Sequence, residues 1–221
     1  MPNNLESDRY QTVAAPASGV YKEKGSKFLA FARPVCSEEE AIEHLKEIKK
    51  EYFDARHHCF AYRLGVDGAI WRANDDGEPA SSAGKPILGQ LRAFEVSDTL
   101  IVVARYFGGI KLGLPGLINA YRQAAADALQ NSTIVSKYAT QNAELSFPYA
   151  QMNAVMKLLK ENSATIIALQ YQHEHECRLS FSIRRSLFPA LSQKLTSLTA
   201  NQAPAPSPYT PSGPQSAGKI Y

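Results

Sequence analysis

Two glycine-rich loops carry the residues with chemistry to offer. The first, Asp75-Asp76-Gly77-Glu78-Pro79-Ala80-Ser81-Ser82-Ala83-Gly84-Lys85-Pro86, is the densest polar cluster in the chain. Its end approaches the phosphate-cradling pattern G-x-x-x-x-G-K-[ST]. Pro79 stands where the leading glycine belongs, and Pro86 where the magnesium-binding hydroxyl belongs, so nucleotide hydrolysis by that route is not expected. Two readings remain for Ser81, Ser82, Lys85 and the amides of Ala83–Lys85. One is an anion site at a helix start, where unpaired N–H groups and the dipole favour negative charge. The other is a helix cap with a solvated lysine. Asp75, Asp76 and Glu78 have the chemistry of a divalent-metal or acid–base set, but solvated turn carboxylates satisfy the same pattern.

The second loop is Arg105-Tyr106-Phe107-Gly108-Gly109-Ile110-Lys111-Leu112-Gly113. It leaves a strand and enters a helix, the place where ligands approach open α/β layouts and where glycines let backbone amides come close. Arg105 and Lys111 bring positive charge, and Tyr106 and Phe107 offer stacking faces. Tight turns and a core aromatic are the plainer account. A third cluster, Arg56-His57-His58-Cys59, opens a strand whose alternation puts His57 and Cys59 on one face and His58 on the other. Adjacent His-His-Cys lacks a second ligand pair at zinc spacing, so Cys59 reads as core. His173 and His175 read as exposed polar residues near a turn, and Trp71 with Arg72 and Arg63 as cross-strand packing or a basic, aromatic surface. No metal and no cofactor is expected.

The elements that must position these residues follow from periodicity and punctuation. Residues 1–18 lack a pattern and read as a frayed leader. Val20–Pro34 reads as two strands turning at Lys24-Gly25-Ser26. Ser37-Glu38-Glu39-Glu40 is a capping box, and Ile42, Leu45, Ile48 and Tyr52 follow at helical spacing. His57–Leu64 and Ala69–Ala73 read as strands, Lys85–Phe94 as a short helix, and Thr99–Phe107 as a central strand apolar on both faces. Pro115 suits the first turn of a helix over Pro115–Asn131. From residue 138 to 200 the order strand, helix, strand, strand, helix reads as a ferredoxin-like domain with its last strand in doubt. Residues 201–221 hold Pro204, Pro206, Pro208, Pro211 and Pro214 of the thirteen prolines and read as a disordered tail. Only Lys219–Tyr221 is left there to add an edge strand.

Composition bounds the function classes. A chain of 221 residues with 44% hydrophobic and 20% charged residues is globular and long enough for two cores, and the mixed run of strands and helices read above makes it α+β in class. A net charge of +3 permits contact with phosphate without demanding it. Three widely spaced cysteines fit a reducing compartment, and strand-length apolar runs give no membrane segment. The expected location is cytoplasmic.

Four segments in this order and spacing, Gly25-Ser26-Lys27-Phe28, Arg56–Arg63, Asp75–Leu88 and Arg105–Tyr121, resemble the YigZ/IMPACT family from about Tyr21 to Leu129. The resemblance implies an N-terminal α+β domain, residues 19–132, of the fold shared by a ribosomal-protein domain and the GHMP kinases. It also implies a ferredoxin-like C-terminal domain similar to domain V of elongation factor G. It implies a nucleic-acid- or ribosome-associated binding protein linked to regulation of translation. The candidate contacts are His57, Glu78, Ser81, Ser82, Lys85, Arg105, Tyr106 and Lys111, with Arg56 and Arg63 as further phosphate contacts. Two departures stand out: Pro115 removes an amide donor, and Asn119 replaces a positive charge. Both shift the expected anion contacts toward the first loop. The alternative function is an enzyme acting on a small phosphorylated or anionic metabolite between the two loops, with Glu78 or His57 as the acid–base group. A protein–protein adaptor using the Pro-rich tail is the third possibility.

Overall fold

The strand that the sequence marks as central, β6 (Thr99–Tyr106), sits in the middle of a five-stranded sheet. In the computed structural model, which describes residues 8–172, 176–199 and 203–206, β6 pairs antiparallel with β3 (Ser26–Pro34) and β4 (His57–Leu64). Outside these lie β2 (Ala17–Glu23) and β5 (Ile70–Asn74), giving the order β2-β3-β6-β4-β5. Alternation along β6 feeds two cores. Leu100, Val102 and Ala104 pack with Ala41, Leu45 and Ile48 of helix α1 (Glu38–Glu51). Ile101 and Val103 pack with Ile87, Leu88 and Leu91 of α2 (Gly84–Ala93) and with Leu117, Ala120, Tyr121 and Ala124 of α3 (Gly113–Gln130). Leu100, Ile101, Val102 and Val103 are fully buried, each worth about 1.5–3 kcal/mol relative to exposure. The sheet is thus held between α1 on one face and α2 with α3 on the other.

The Ser37 half of the capping box forms as its spacing demands, and the returning Glu40 carboxylate reaches one residue further back than the N-cap. Ser37 Oγ accepts from the Glu40 amide at 3.2 Å, while Glu40 Oε2 reaches back to the Cys36 amide at 2.6 Å. The β2–β3 hairpin turns at Lys24 (φ 46°) and Gly25 (φ 77°), the paired positive φ of a two-residue hairpin loop.

The expected frayed leader is corrected over its second half. Arg9–Val13 forms β1, which pairs with β7 (Ile134–Tyr138), and β2 begins at Ala17. The reason is non-local: Gln11 bridges Val96, the Ser97 amide donates to the Gln11 carbonyl, and Val13 is fully buried. No periodicity in the first eighteen residues announces those partners.

The chain divides into two compact units, one of residues Tyr10–Lys137 and the other of the chain on either side of it. In the second unit β8 (Thr140–Pro148), α4 (Met152–Glu161), β9 (Thr165–Tyr171), β10 (Glu176–Arg184) and α5 (Phe188–Leu198) follow in order. A short β11 (Ala205–Pro206) completes a sheet ordered β11-β8-β10-β9. Leu145, Phe147, Leu179, Phe181 and Ile183 meet Val155, Leu159, Leu191 and Leu195 in its core. The proline-rich tail therefore contributes a paired segment at Ala205–Pro206, on an edge where a missing N–H costs nothing. The rest of the tail, including Lys219–Tyr221, and both His173 and His175 lie outside the described residues.

Candidate functional site

The first loop is built around one carboxylate. Asp75, just after β5, accepts from the amides of Ser81 (2.8 Å), Ala83 (3.0 Å) and Gly84 (2.8 Å). The N-terminus of α2 is therefore filled by the chain's own anion. Ser82 is fully buried and its hydroxyl donates to the Pro79 carbonyl at 2.6 Å. Ser81 is held at φ 63° by its bond to Asp75. Lys85 points out as an exposed side chain. These residues form the helix cap, with the lysine in solvent. Gly84 must be glycine, because a Cβ there would stand 2.6 Å from the Asn74 nitrogen.

The three acidic residues of this loop go separate ways. Asp76 receives Lys49 Nζ at 3.0 Å and the His58 amide at 2.7 Å. Burial opposes its ionisation, but the His58 amide and the Lys49 ammonium outweigh that and hold its pKa below the ordinary carboxylate value. Glu78 turns inward, its side chain 3% exposed, and accepts from Arg105 Nη1 at 2.5 Å and from the Tyr121 hydroxyl at 2.8 Å. Among the described residues no group of three or more His, Cys, Asp or Glu side chains is placed to hold a metal ion.

His57, Cys59 and Tyr121 surround the Glu78–Arg105 pair. His57 Nδ1 donates to the Asp76 carbonyl at 2.8 Å, which leaves Nε2 3.9 Å from Glu78 Oε1, beyond hydrogen-bond reach. Cys59 Sγ lies 3.3 Å from the Tyr121 hydroxyl and 3.0 Å from the Asp75 carbonyl. Burial pushes the Cys59 thiol well above its ordinary pKa, and the nearby carboxylates add to it. Burial likewise drives the Tyr121 hydroxyl far up. Both groups stay protonated at neutral pH, so Cys59 is a core thiol and no thiolate nucleophile.

A cleft of about 470 Å³ opens over this pair, walled by Arg56, Glu78, Pro79, Arg105, Phe107 and Lys111 together with residues Leu112–Leu114 and Leu117. The Arg105 guanidinium lies 5.4 Å from the Phe28 ring centre and 5.8 Å from that of Phe107, inside cation–π range. Phe107 is 48% exposed. Arg56 and Lys111 are exposed at the mouth. The β2–β3 turn docks on the second loop: Gly108 donates to Ser26 Oγ at 3.2 Å, and a Cβ on Gly108 would stand 1.9 Å from the Gly25 carbonyl carbon. That contact brings exposed Lys24 and Lys27 to the same end of the sheet.

Of the expected contacts, His57, Glu78, Arg105 and Lys111 gather at this end. Ser81, Ser82 and Lys85 belong to the α2 cap and do not line the cleft. Tyr106 is not a cleft wall either; its hydroxyl donates to Asp54 at 2.7 Å, and burial with that bond pushes its pKa up to about 12. Arg63 pairs with Thr99 at the opposite end of β6 and donates to the Val96 and Asp67 carbonyls. Trp71 stacks under Arg92 at 5.2 Å. Sequence reasoning missed Tyr121. The available signal was a tyrosine on the apolar stripe of α3 with Leu117, Ala124 and Ala128, a position that calls for a buried acceptor.

Comparison with known proteins places this geometry. The Impact N-terminal domain matches residues 24–129. The chain is 36% identical to the IMPACT family member YvyE of Bacillus subtilis over 151 residues, 68% of this chain and 70% of that protein. It is 37% identical to the IMPACT family member YigZ of Escherichia coli over 161 residues, 72% of this chain and 79% of that protein. A crystal structure described only as that of a hypothetical protein superimposes with a TM-score of 0.69 at 32% identity, covering 88% of this chain and 94% of the other. The matched domain holds every wall of the cleft, and the chain belongs to the IMPACT family.

Proposed function

We propose that the protein is a non-catalytic binding protein for single-stranded RNA, working with the ribosome or its associated RNA in regulation of translation. The observation that supports it is one surface: exposed Lys24, Lys27, Arg56 and Lys111 gather with half-exposed Phe107 at one end of the five-stranded sheet. Cations that track a backbone beside an aromatic face are the general means of holding single strands. The family resemblance adds the link to translation. Buried thiols at Cys59 and Cys177 support a reducing, cytoplasmic setting. Among the described residues no helix is long and apolar enough to cross a membrane. As part of the same reading, the Tyr10–Lys137 unit is of the ribosomal-protein/GHMP-kinase type and the second unit is ferredoxin-like. The strand order β11-β8-β10-β9 supports the latter.

Anisotropy of a fluorescein-labelled single-stranded RNA 20-mer tests the reading. Binding of modest affinity that weakens steeply with salt is expected, because released counterions drive it. Absence of binding at low salt, or unchanged binding by an Arg56→Ala/Lys111→Ala double variant, would sink it. The buried Glu78–Arg105–Tyr121 group under a cleft favours a second reading, an enzyme for a small anionic metabolite. A thermal-shift screen of nucleotides and sugar phosphates separates the two, since one large and specific rise would speak for the enzyme.

A further inference from the structure

The three helices of the Tyr10–Lys137 unit start differently. Ser37 caps α1, and Asp75 fills the start of α2. The eighteen-residue α3 begins after Leu112 with no side-chain cap and no acidic residue in its first turn. Its first amides, Gly113 and Leu114, are therefore left with the partial positive charge of a helix start, Pro115 having none to give. Gly113 and Leu114 line the cleft. Arg105 lines the same cleft with its side chain 8% exposed, and its Nε is buried without a hydrogen-bond partner. A buried guanidinium donor without an acceptor, beside an open helix start, is an arrangement that an oxyanion completes. The remaining walls are apolar: Phe107, Leu112, Leu114 and Leu117.

We infer that the cleft takes one nucleotide unit, its phosphate at the open start of α3 with Arg56, Arg105 and Lys111, and its base against Phe107. This rests on the RNA-binding reading and assigns the site within it. A volume of about 470 Å³ is that of a small-molecule site. A duplex keeps its bases stacked and offers no free face to Phe107, whereas a single strand or a free nucleotide does. Both sources share this chemistry, and the test separates them.

The probe is a fluorescein-labelled single-stranded RNA 10-mer at low salt, competed with adenosine monophosphate, adenosine or inorganic phosphate. The monophosphate displaces the RNA, and adenosine at the same concentration does not. Phe107→Ala weakens RNA binding roughly tenfold to hundredfold, the loss of one base stacked on an aromatic ring. Leu114→Asp, which places a carboxylate in the first turn of α3, weakens binding at least tenfold without lowering the melting temperature. RNA binding that the monophosphate does not compete, with Phe107→Ala and Leu114→Asp both at wild-type affinity, overturns the inference and leaves the RNA reading standing. Binding of the monophosphate without RNA supports the inference and overturns the RNA reading. Absence of both overturns both.

Discussion

Two glycine-rich loops of similar composition end in opposite electrostatic states. At the start of α2, Asp75 spends its carboxylate on three amides, Ser82 is sealed from solvent, and Lys85 stands apart. At the start of α3 the first turn has no side-chain cap, a buried arginine keeps an unsatisfied donor, and Arg56, Phe107 and Lys111 form an open rim. The first loop is closed by the protein itself, and the helix start that follows the second carries no such cap. A cluster rich in serine, lysine and glycine is therefore no guide to an anion site until the location of the nearest carboxylate is known.

The comparison breaks most severely at Gly108. Ala at this position drives a Cβ into the Gly25 backbone and costs about 3 kcal/mol through overpacking. Urea denaturation reads the loss, and RNA affinity falls with it because Lys24 and Lys27 are displaced. Next comes Asp75→Ala, which strips the cap from α2 at a cost of about 2–3 kcal/mol, read by the same measurement. That variant also sharpens the contrast: with the carboxylate gone, inorganic phosphate regains part of the lost melting temperature, whereas it adds nothing at this loop in the wild type.

A smaller effect is expected at Asp76. Its folded pKa lies below the ordinary value of 3.8, so its contribution is complete above that value and is lost as pH falls through the folded pKa. Asp76→Asn costs about 1–2 kcal/mol at pH 7, the worth of hydrogen bonds to a charged group. It also flattens the decline in stability below pH 4, which acid titration by circular dichroism checks. The smallest effect belongs to Lys85→Ala, which leaves RNA affinity within twofold because Lys85 is not a cleft wall.

How much of this was legible depends on the range of each interaction. The capping box at Ser37–Glu40, the doubly buried β6 and the stripe of Ile87, Leu88 and Leu91 are local patterns, and each forms where its spacing places it. The strand at Arg9–Val13 depends on residues near position 96 and on β7, and no local pattern encodes those partners. The same holds for the site. Asp75 reads as a turn residue until it meets amides six, eight and nine positions on. Glu78 reads as a solvated acid until β6 brings Arg105 and α3 brings Tyr121 against it. Pro115 has no amide to give and Asn119 carries no charge, which turns expectation toward the first loop. Neither reveals that Asp75 already occupies the alternative.

The central claim, that the second loop and not the first is the binding end, is tested most directly by a matched charge reversal. Lys85→Glu and Lys111→Glu change the net charge equally, so general electrostatic attraction is held constant between them. In RNA anisotropy titrations at several salt concentrations, Lys111→Glu should bind at least tenfold more weakly with a reduced salt slope, and Lys85→Glu should stay within about twofold of the wild type. Equal losses in the two variants, or the greater loss at Lys85, would contradict the account.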